Sequence, residues 1–275
     1  MSDSLLIDDS TPRVRVITLN RPQRLNALDG PTLLALRAAV EECSAPGRDV
    51  RVIVIRGEGR AFCSGSDLKW ITESGVINDP GAHLQNQDRM QAAYESFEAA
   101  RQVVIACVNG YAVAGGLELA LACDIVVADQ DAQLGDEHIR KNLLPSGGST
   151  QRLPRRIGAA RALYYLLSGR RMSGREAERI GLAALAVPGP ELTATVMELA
   201  SEIAQADPHA LANMKFMARR SLELPLKDGL ALERWMQFRY RHESPAMVAG
   251  VRQFAAGAGA SRPAAGSLTD TGDER

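Results

Sequence analysis

Three stretches of the sequence are apolar almost without interruption, short and rich in β-branched residues: RVIVIRG at residues 51–57, VVIACVNG at 103–110 and DIVVAD at 124–129. A strand with no polar alternation has no face to offer water, so it must be covered on both sides, as in a parallel sheet flanked by helices. The cover is present in the sequence. PTLLALRAAVEEC, from Pro31, has apolar residues at helical spacing, with the proline suited to the first turn. VRVITLN at 14–20 reads as one more strand, and NRPQRLNALDGP after it is turn chemistry. Strands that alternate with helices indicate an α/β architecture with crossover connections.

With 275 residues, 45% of them hydrophobic and 24% charged, the chain can build one large domain or one domain with an appendage. A net charge of −1 and a pI near 6.5 provide no global basic field, which argues against nucleic acid and membrane surfaces as partners. Cys43, Cys63, Cys107 and Cys123 stand far apart in mostly apolar surroundings, without metal-ligand spacing, and read as reduced core thiols. MSDSLLIDDS at the N-terminus lacks the features of a targeting segment, and no apolar run reaches the roughly 18 residues of a membrane span. A soluble cytoplasmic protein is expected.

The segment from Asp79 to Gln102 reads as a polar loop, a candidate mobile cover, followed by a helix around RMQAAYESFEAARQ. After about Pro188 the strand patterns stop and helical ones take over. The expected organisation is a core over residues 5–190, a helical subdomain over 191–256 and a disordered tail over 257–275, where small, polar, Pro- and Gly-rich sequence begins.

Three glycine-containing stretches follow strands: GRAFCSGSDLKW at 59–70, NGYAVAGGLELALACD at 109–124 and LPSGGSTQRLPRRIG at 144–158. None is a phosphate loop of the G-x-x-x-x-G-K-[ST] kind, and there is no G-x-G-x-x-G. Each taken alone marks a tight turn or close backbone packing. Together with ITLNRP…LNAL before them and LLSGRRMSGREAERIGL after, in this order, they make the chain from about residue 14 to 256 resemble the crotonase, or enoyl-CoA hydratase/isomerase, superfamily. The resemblance implies a spiral core of repeated ββα units, a C-terminal helical region that forms trimers or dimers of trimers, and acyl-CoA thioester substrates.

The superfamily shares an oxyanion hole of two backbone N–H groups that holds the thioester oxygen as an enolate forms. The resemblance assigns these donors to Ser66 and Gly115. Gly115 also opens a helical pattern, where unpaired N–H groups and the helix dipole favour negative charge. By the same resemblance, backbone around Ala61, Ser64, Asp67 and Leu68 would meet the adenine of coenzyme A, and Arg24 and Leu25 would lie near the pantetheine or phosphates. Arg24 and Lys69 read equally as phosphate partners and as solvated surface charges. Phe254 matches an aromatic that contacts coenzyme A from a neighbouring subunit, with core packing an equal reading. The basic motif that commonly follows it is reduced here to Arg262-Pro263.

Hydratases of the superfamily flank the substrate with two glutamates. Glu118, in the apolar LELALACDI, occupies the first position, and a lone carboxylate there is costly to bury unless paired or functional. The second position, normally a Pro-Glu, falls on His138 within LGDEHI, with glutamate one place early as Glu137. Three explanations compete. His138 could donate a proton near neutral pH. Glu137 could swing in, although a shift of one residue in extended chain reverses the side chain. Or the site could run another reaction with Glu118 and the oxyanion hole alone.

The leading expectation is reversible addition of water to a 2-enoyl-CoA, with Glu118 as base, His138 as proton donor and no metal or redox cofactor, coenzyme A being part of the substrate. An isomerase, lyase or thioester hydrolase acting on a polar acyl-CoA is the second expectation, and a non-catalytic acyl-CoA-binding protein is the third.

Overall fold

The computed structural model describes residues 4–256; the tail expected over 257–275 lies outside them, with Arg262-Pro263. In chain order the strands and helices begin with β1 (Leu5–Asp8), β2 (Val14–Leu19), α1 (Gly30–Glu41), β3 (Val52–Gly57), β4 (Ala61–Cys63), α2 (Leu68–Glu73) and α3 (Pro80–Ala99). They continue with β5 (Val103–Val108), β6 (Tyr111–Val113), α4 (Gly115–Ala122), β7 (Ile125–Asp129), β8 (Gln133–Gly135), α5 (Ser149–Ile157), α6 (Ala159–Ser168) and β9 (Met172–Ser173). Then come α7 (Gly174–Arg179), β10 (Leu185–Val187), α8 (Gly189–Ile203), α9 (Pro208–Arg220), α10 (Leu226–Glu243) and α11 (Ala246–Ala255).

The strands form a six-stranded sheet ordered β1-β2-β3-β5-β7-β10 and a four-stranded sheet ordered β4-β6-β8-β9. Pairing is antiparallel at β1–β2 and β8–β9 and parallel elsewhere. The connectivity repeats. β3, β5 and β7 lie side by side in the large sheet, and each is followed by one strand of the small sheet, β4, β6 and β8 in the same spatial order. This is the ββα spiral, and it places the three chain exits from the small sheet next to one another.

The uninterrupted apolar runs have two covered faces, as their composition requires. Ile53 and Ile55, with Val104, Ala106 and Val126, face a core shared with Leu33, Leu36, Tyr94 and Phe97 of α1 and α3. Val52, Val54, Val103, Ile105 and Val127 face a second core closed by Leu192, Val196 and Ala200 of α8. Burying one such Val or Leu contributes about 1.5–3 kcal/mol, so α8 is held chiefly by this face. All four cysteines are free and buried, and burial pushes the Cys63 and Cys123 thiols up to about 12, which keeps them protonated.

One local expectation is corrected. Residues from Pro80 onward are not a loop: α3 begins there, with Asp79 accepting hydrogen bonds from the Gly81 and Ala82 N–H groups (2.8 and 3.1 Å) and proline in the first turn. The polar residues that resemble a loop are a capped helix start. Among the described residues, contacts group the chain into two compact units that divide after Glu223, so α8 and α9 belong with the sheets, whereas the sequence reading put a boundary near 190. The second unit holds α10 and α11, and no helix of the described residues is long and apolar enough to cross a membrane.

Candidate active site

The first exit from the small sheet, after β4, carries Ser66. Leu28 pairs with it as an isolated parallel bridge: the Leu28 N–H donates to the Gly65 carbonyl (2.8 Å) and the Asp67 N–H to the Leu28 carbonyl (2.9 Å). In such a bridge the residue between the two bonded neighbours turns its own N–H the opposite way. The Ser66 N–H therefore points away from Leu28, and it donates to no protein group among the described residues. The second exit carries Gly115, first residue of α4. The residue before it, Ala114, holds φ 51° and ψ −122°, a conformation costly for a residue with a Cβ. Its N–H donates to the Gly135 carbonyl (2.8 Å), which ties the turn to the third exit.

The two turns touch. A Cβ added to Gly65, whose φ is +91°, would lie 2.7 Å from the Gly115 nitrogen, and one added to Gly116 would lie 2.0 Å from the Cys63 carbonyl oxygen. Glycine at both places is what allows the two turns to approach. From α3, the Tyr94 hydroxyl donates to the Gly115 carbonyl (2.8 Å), and the Ser66 hydroxyl lies 3.8 Å from Met90 Sδ.

Glu118 stands one turn into α4 and is fully buried. Its Oε1 accepts from the N–H groups of Gly147 (2.8 Å) and Ser149 (3.1 Å) at the start of α5, while Oε2 has no hydrogen-bond partner among the described residues. Burial raises its pKa; the Asp136 charge adds to that, and the Ser149 and Gly147 N–H groups and His138 oppose it. Arg152 steadies the Gly147 turn, donating to the Gly147 carbonyl (2.6 Å) while pairing with Glu98 through two bonds (2.8 and 2.9 Å).

The third exit, after β8, carries Asp136-Glu137-His138. His138 Nε2 faces Glu118 Oε2 at 4.0 Å, and Nδ1 lies 3.1 Å from Asp136 Oδ2. That second contact lacks hydrogen-bond alignment, and we treat it as an ion pair, whose attraction depends on distance more than angle. Asp136 is buried and also accepts from the Ser149 hydroxyl. Burial acts against a charged imidazole, but the adjoining Asp136 and the Glu118 charge outweigh it and raise the His138 pKa. Burial likewise acts to raise the Asp136 pKa, yet His138 and the Ser149 hydroxyl hold it below the usual value.

Glu137 is turned elsewhere. It adopts a left-handed backbone (φ 54°), and its carboxylate is gripped by Arg171 (2.7 and 3.2 Å) and Arg140 (3.1 Å). Of the two residues competing for the second position, the structure brings His138 to Glu118 and sends Glu137 to the arginines.

Of the remaining sequence candidates, those of the first compact unit fall in one neighbourhood. The Ser64 N–H donates to the Leu25 carbonyl (3.0 Å) and the Ser64 hydroxyl to the Arg24 carbonyl (3.4 Å). The Ala61 carbonyl accepts from the Asn26 side chain (2.7 Å). Asp67 caps α2 through the Trp70 N–H (3.0 Å) and pairs with Arg21 (2.8 Å), so its side chain is committed internally. Leu68 and Lys69 are exposed at the start of α2, with Lys69 3.5 Å from Glu73. Phe254, on α11, is 81% exposed. Sequence reasoning gave no role to Asp136, Gly147, Ser149, Tyr94 or Arg152. The glycines before Ser149 were the available signal, and nothing in one sequence shows that they curl around Glu118.

Residues 10–257 match the enoyl-CoA hydratase/isomerase family. The chain belongs to this family. It is 37% identical over 234 residues to a putative enoyl-CoA hydratase/isomerase of Bacillus subtilis, covering 85% of this chain and 88% of that one. It is 37% identical over 231 residues to the 2,3-dehydroadipyl-CoA hydratase of Escherichia coli, covering 84% and 88%. Among solved structures it superposes on the enoyl-CoA hydratase of Bacillus anthracis with a TM-score of 0.86 at 32% identity, over 92% of this chain and 96% of that one. A putative enoyl-CoA hydratase of Thermobifida fusca, solved in complex with CoA, gives a TM-score of 0.79 at 30% identity over 88% and 94%. The crotonase fold and a hydratase-type, hydro-lyase activity follow for this chain.

Proposed function

We propose that this enoyl-CoA hydratase homologue adds water to a 2-enoyl-CoA with Glu118 and a protonated His138 in place of two glutamates. The observation that carries the reading is the facing pair: Glu118 Oε2, without a hydrogen-bond partner among the described residues, lies 4.0 Å from His138 Nε2. That separation is too long for a direct hydrogen bond and leaves room for one oxygen within reach of both.

In the proposed cycle the thioester oxygen is held by the Ser66 and Gly115 N–H groups. Preorganised donors of this type contribute roughly 3–4 kcal/mol each to the transition state. Glu118 takes a proton from water as its oxygen bonds to C3, charge moves onto the thioester oxygen, and His138 Nε2 delivers a proton to C2. A buried carboxylate of raised pKa is a stronger base toward water, and an imidazole of raised pKa keeps its proton to higher pH than a free one does. Asp136 stabilises the charged imidazole and Ser149 holds Asp136. No metal or redox group enters the scheme.

Arg24, Leu25, Ala61, Ser64, Asp67 and Leu68 are proposed to line the coenzyme A moiety, with Arg24 and Lys69 near phosphate and Phe254 reaching in from a neighbouring copy of a trimer or dimer of trimers. The co-location of the first six supports this. The test is spectrophotometric loss of crotonyl-CoA and longer 2-enoyl-CoAs: full activity in Glu118→Ala would sink the assignment. A second reading, another crotonase reaction on a polar acyl-CoA, is favoured by the charged Asp136–His138 pair where hydratases present Pro-Glu. Product analysis over several CoA thioesters separates the two.

A further inference from the structure

The face of α3 that meets the donor segments continues beyond them. Met90 and Tyr94 touch Ser66 and Gly115, which fixes which side of the helix looks at the thioester end of the site. Residues three, four and seven positions before Met90 lie on that side or at its edge. They are Gln87, Asn86 and His83. Helical side chains also lean toward the N-terminus, in the direction of this group. An acyl chain running from the oxyanion hole along α3 therefore meets polar groups where a plain alkyl tail calls for apolar ones.

These groups are not satisfied among themselves. His83 Nε2 and Gln87 Nε2 lie 3.1 Å apart and form the one hydrogen bond within the set. Asn86 is 7% exposed, and among the described residues its Oδ1 is buried without a partner; His83 Nδ1 is buried and equally without one. A purely structural polar cluster closes its own hydrogen bonds, and groups left over call for a specific explanation. The surrounding charge narrows the class of ligand. The set contains no lysine or arginine, Asp79 caps the same helix, and the Arg89 guanidinium lies near Gly30 on the side facing α1. Within the set itself a carboxylate would meet no lysine or arginine.

The geometry points to a subsite in which His83, Asn86 and Gln87 bind an uncharged oxygen, a hydroxyl or carbonyl, on the substrate's acyl chain. This rests on the thioester placement proposed above. With a rise of about 1.5 Å per residue, Gln87 and His83 lie about 4.5 and 10.5 Å along the helix from Met90. An extended chain advances about 1.2 Å per bond, which puts the oxygen roughly four to nine carbons from the thioester.

The test uses 2-enoyl-CoAs of six and eight carbons ending in methyl, hydroxyl or carboxylate, with wild type, His83→Leu/Gln87→Leu and the single variant Gln87→Leu. The readout is the hydroxyl-to-methyl ratio of kcat/KM within each protein, which cancels general damage to the enzyme. We expect a ratio of about ten or more at one of the two lengths in wild type, falling toward one in the variants, since a site that hydrogen-bonds a substrate oxygen rejects the analogue lacking it. Equal handling of methyl and hydroxyl ends would mean that solvent satisfies the cluster and would overturn the subsite. So would a preference for carboxylate, or one that survives in folded variants. Calorimetry with the saturated acyl-CoAs of the same tails reads the same ratio as Kd without any reaction. Failure to hydrate any enoyl-CoA thus counts against the proposed reaction, and the binding ratio alone decides the subsite.

Discussion

Arg171 holds the Glu137 carboxylate through two contacts, at 2.7 and 3.2 Å, and so keeps the acid that adjoins His138 in sequence away from Glu118. A planar guanidinium matches a carboxylate at both oxygens, and the geometry resists rotation of the acid toward the site. Glu137→Gln is therefore expected to leave kcat for a 2-enoyl-CoA within a few-fold of wild type. His138→Gln is expected to lower kcat by roughly 100-fold or more, the usual contribution of general acid catalysis. Steady-state kinetics of the two variants side by side check this, and the reverse order of losses would refute it.

Glu118→Gln should lower kcat by about a thousandfold while leaving the fold intact. The amide oxygen can still accept from the Gly147 and Ser149 N–H groups, and burying a neutral group removes the desolvation that raises the Glu118 pKa. The thermal midpoint is accordingly expected to hold or rise. A variant with unchanged turnover or a large drop in Tm would contradict the assignment.

Asp136→Asn should move the alkaline limb of the pH–kcat profile to lower pH. His138 has a raised pKa in the folded protein, chiefly against burial, because Asp136 stands beside it with Glu118 behind. Removing the Asp136 charge lowers that pKa, so the proton donor is lost earlier as pH rises. The same sign governs stability. The contribution of the charged imidazole is complete below its unfolded value of about 6.5 and disappears as pH climbs through the higher folded value. Chemical denaturation at pH 6 and pH 8 should show a smaller difference in Asp136→Asn than in wild type, and an identical difference would count against the pairing.

Gly147→Ala is expected to damage activity more than stability. A Cβ there would lie 2.6 Å from Glu118 Oε2 and 2.6 Å from Tyr94 Cε2, so the base, the tyrosine or the turn must move. Displacement of a catalytic group by an ångström can cost on the order of a hundredfold. The measurements are kcat and a melting curve, and wild-type kcat would show that the base has room to spare.

The parallel core was legible because covered strands must be apolar on both faces, and Ile53 and Val54 point to different cores as that pattern demands. Motif order singled out Ser66, Gly115 and Glu118, and the structure places them on two turns that touch and on the helix that starts there. Two features were not readable. The start of α3 looks like a loop because its residues are polar, and only the placement of Asp79 over two N–H groups reveals a capped helix. Asp136 looks no different from its neighbour Glu137 in sequence. Their opposite fates depend on a left-handed residue at position 137 and on an arginine thirty-four residues away, both properties of the folded chain.

The threading of the two sheets has an evolutionary corollary. Because the chain returns three times to one corner, the proposed anchors of the thioester, on the first two visits, are structurally separate from the proposed proton donor, on the third. On that reading the loop after β8 can be rewritten, with an imidazole and its own counter-ion in place of a carboxylic acid, without disturbing the two turns proposed to grip the carbonyl. Chemistry in such a scaffold can diversify one exit at a time.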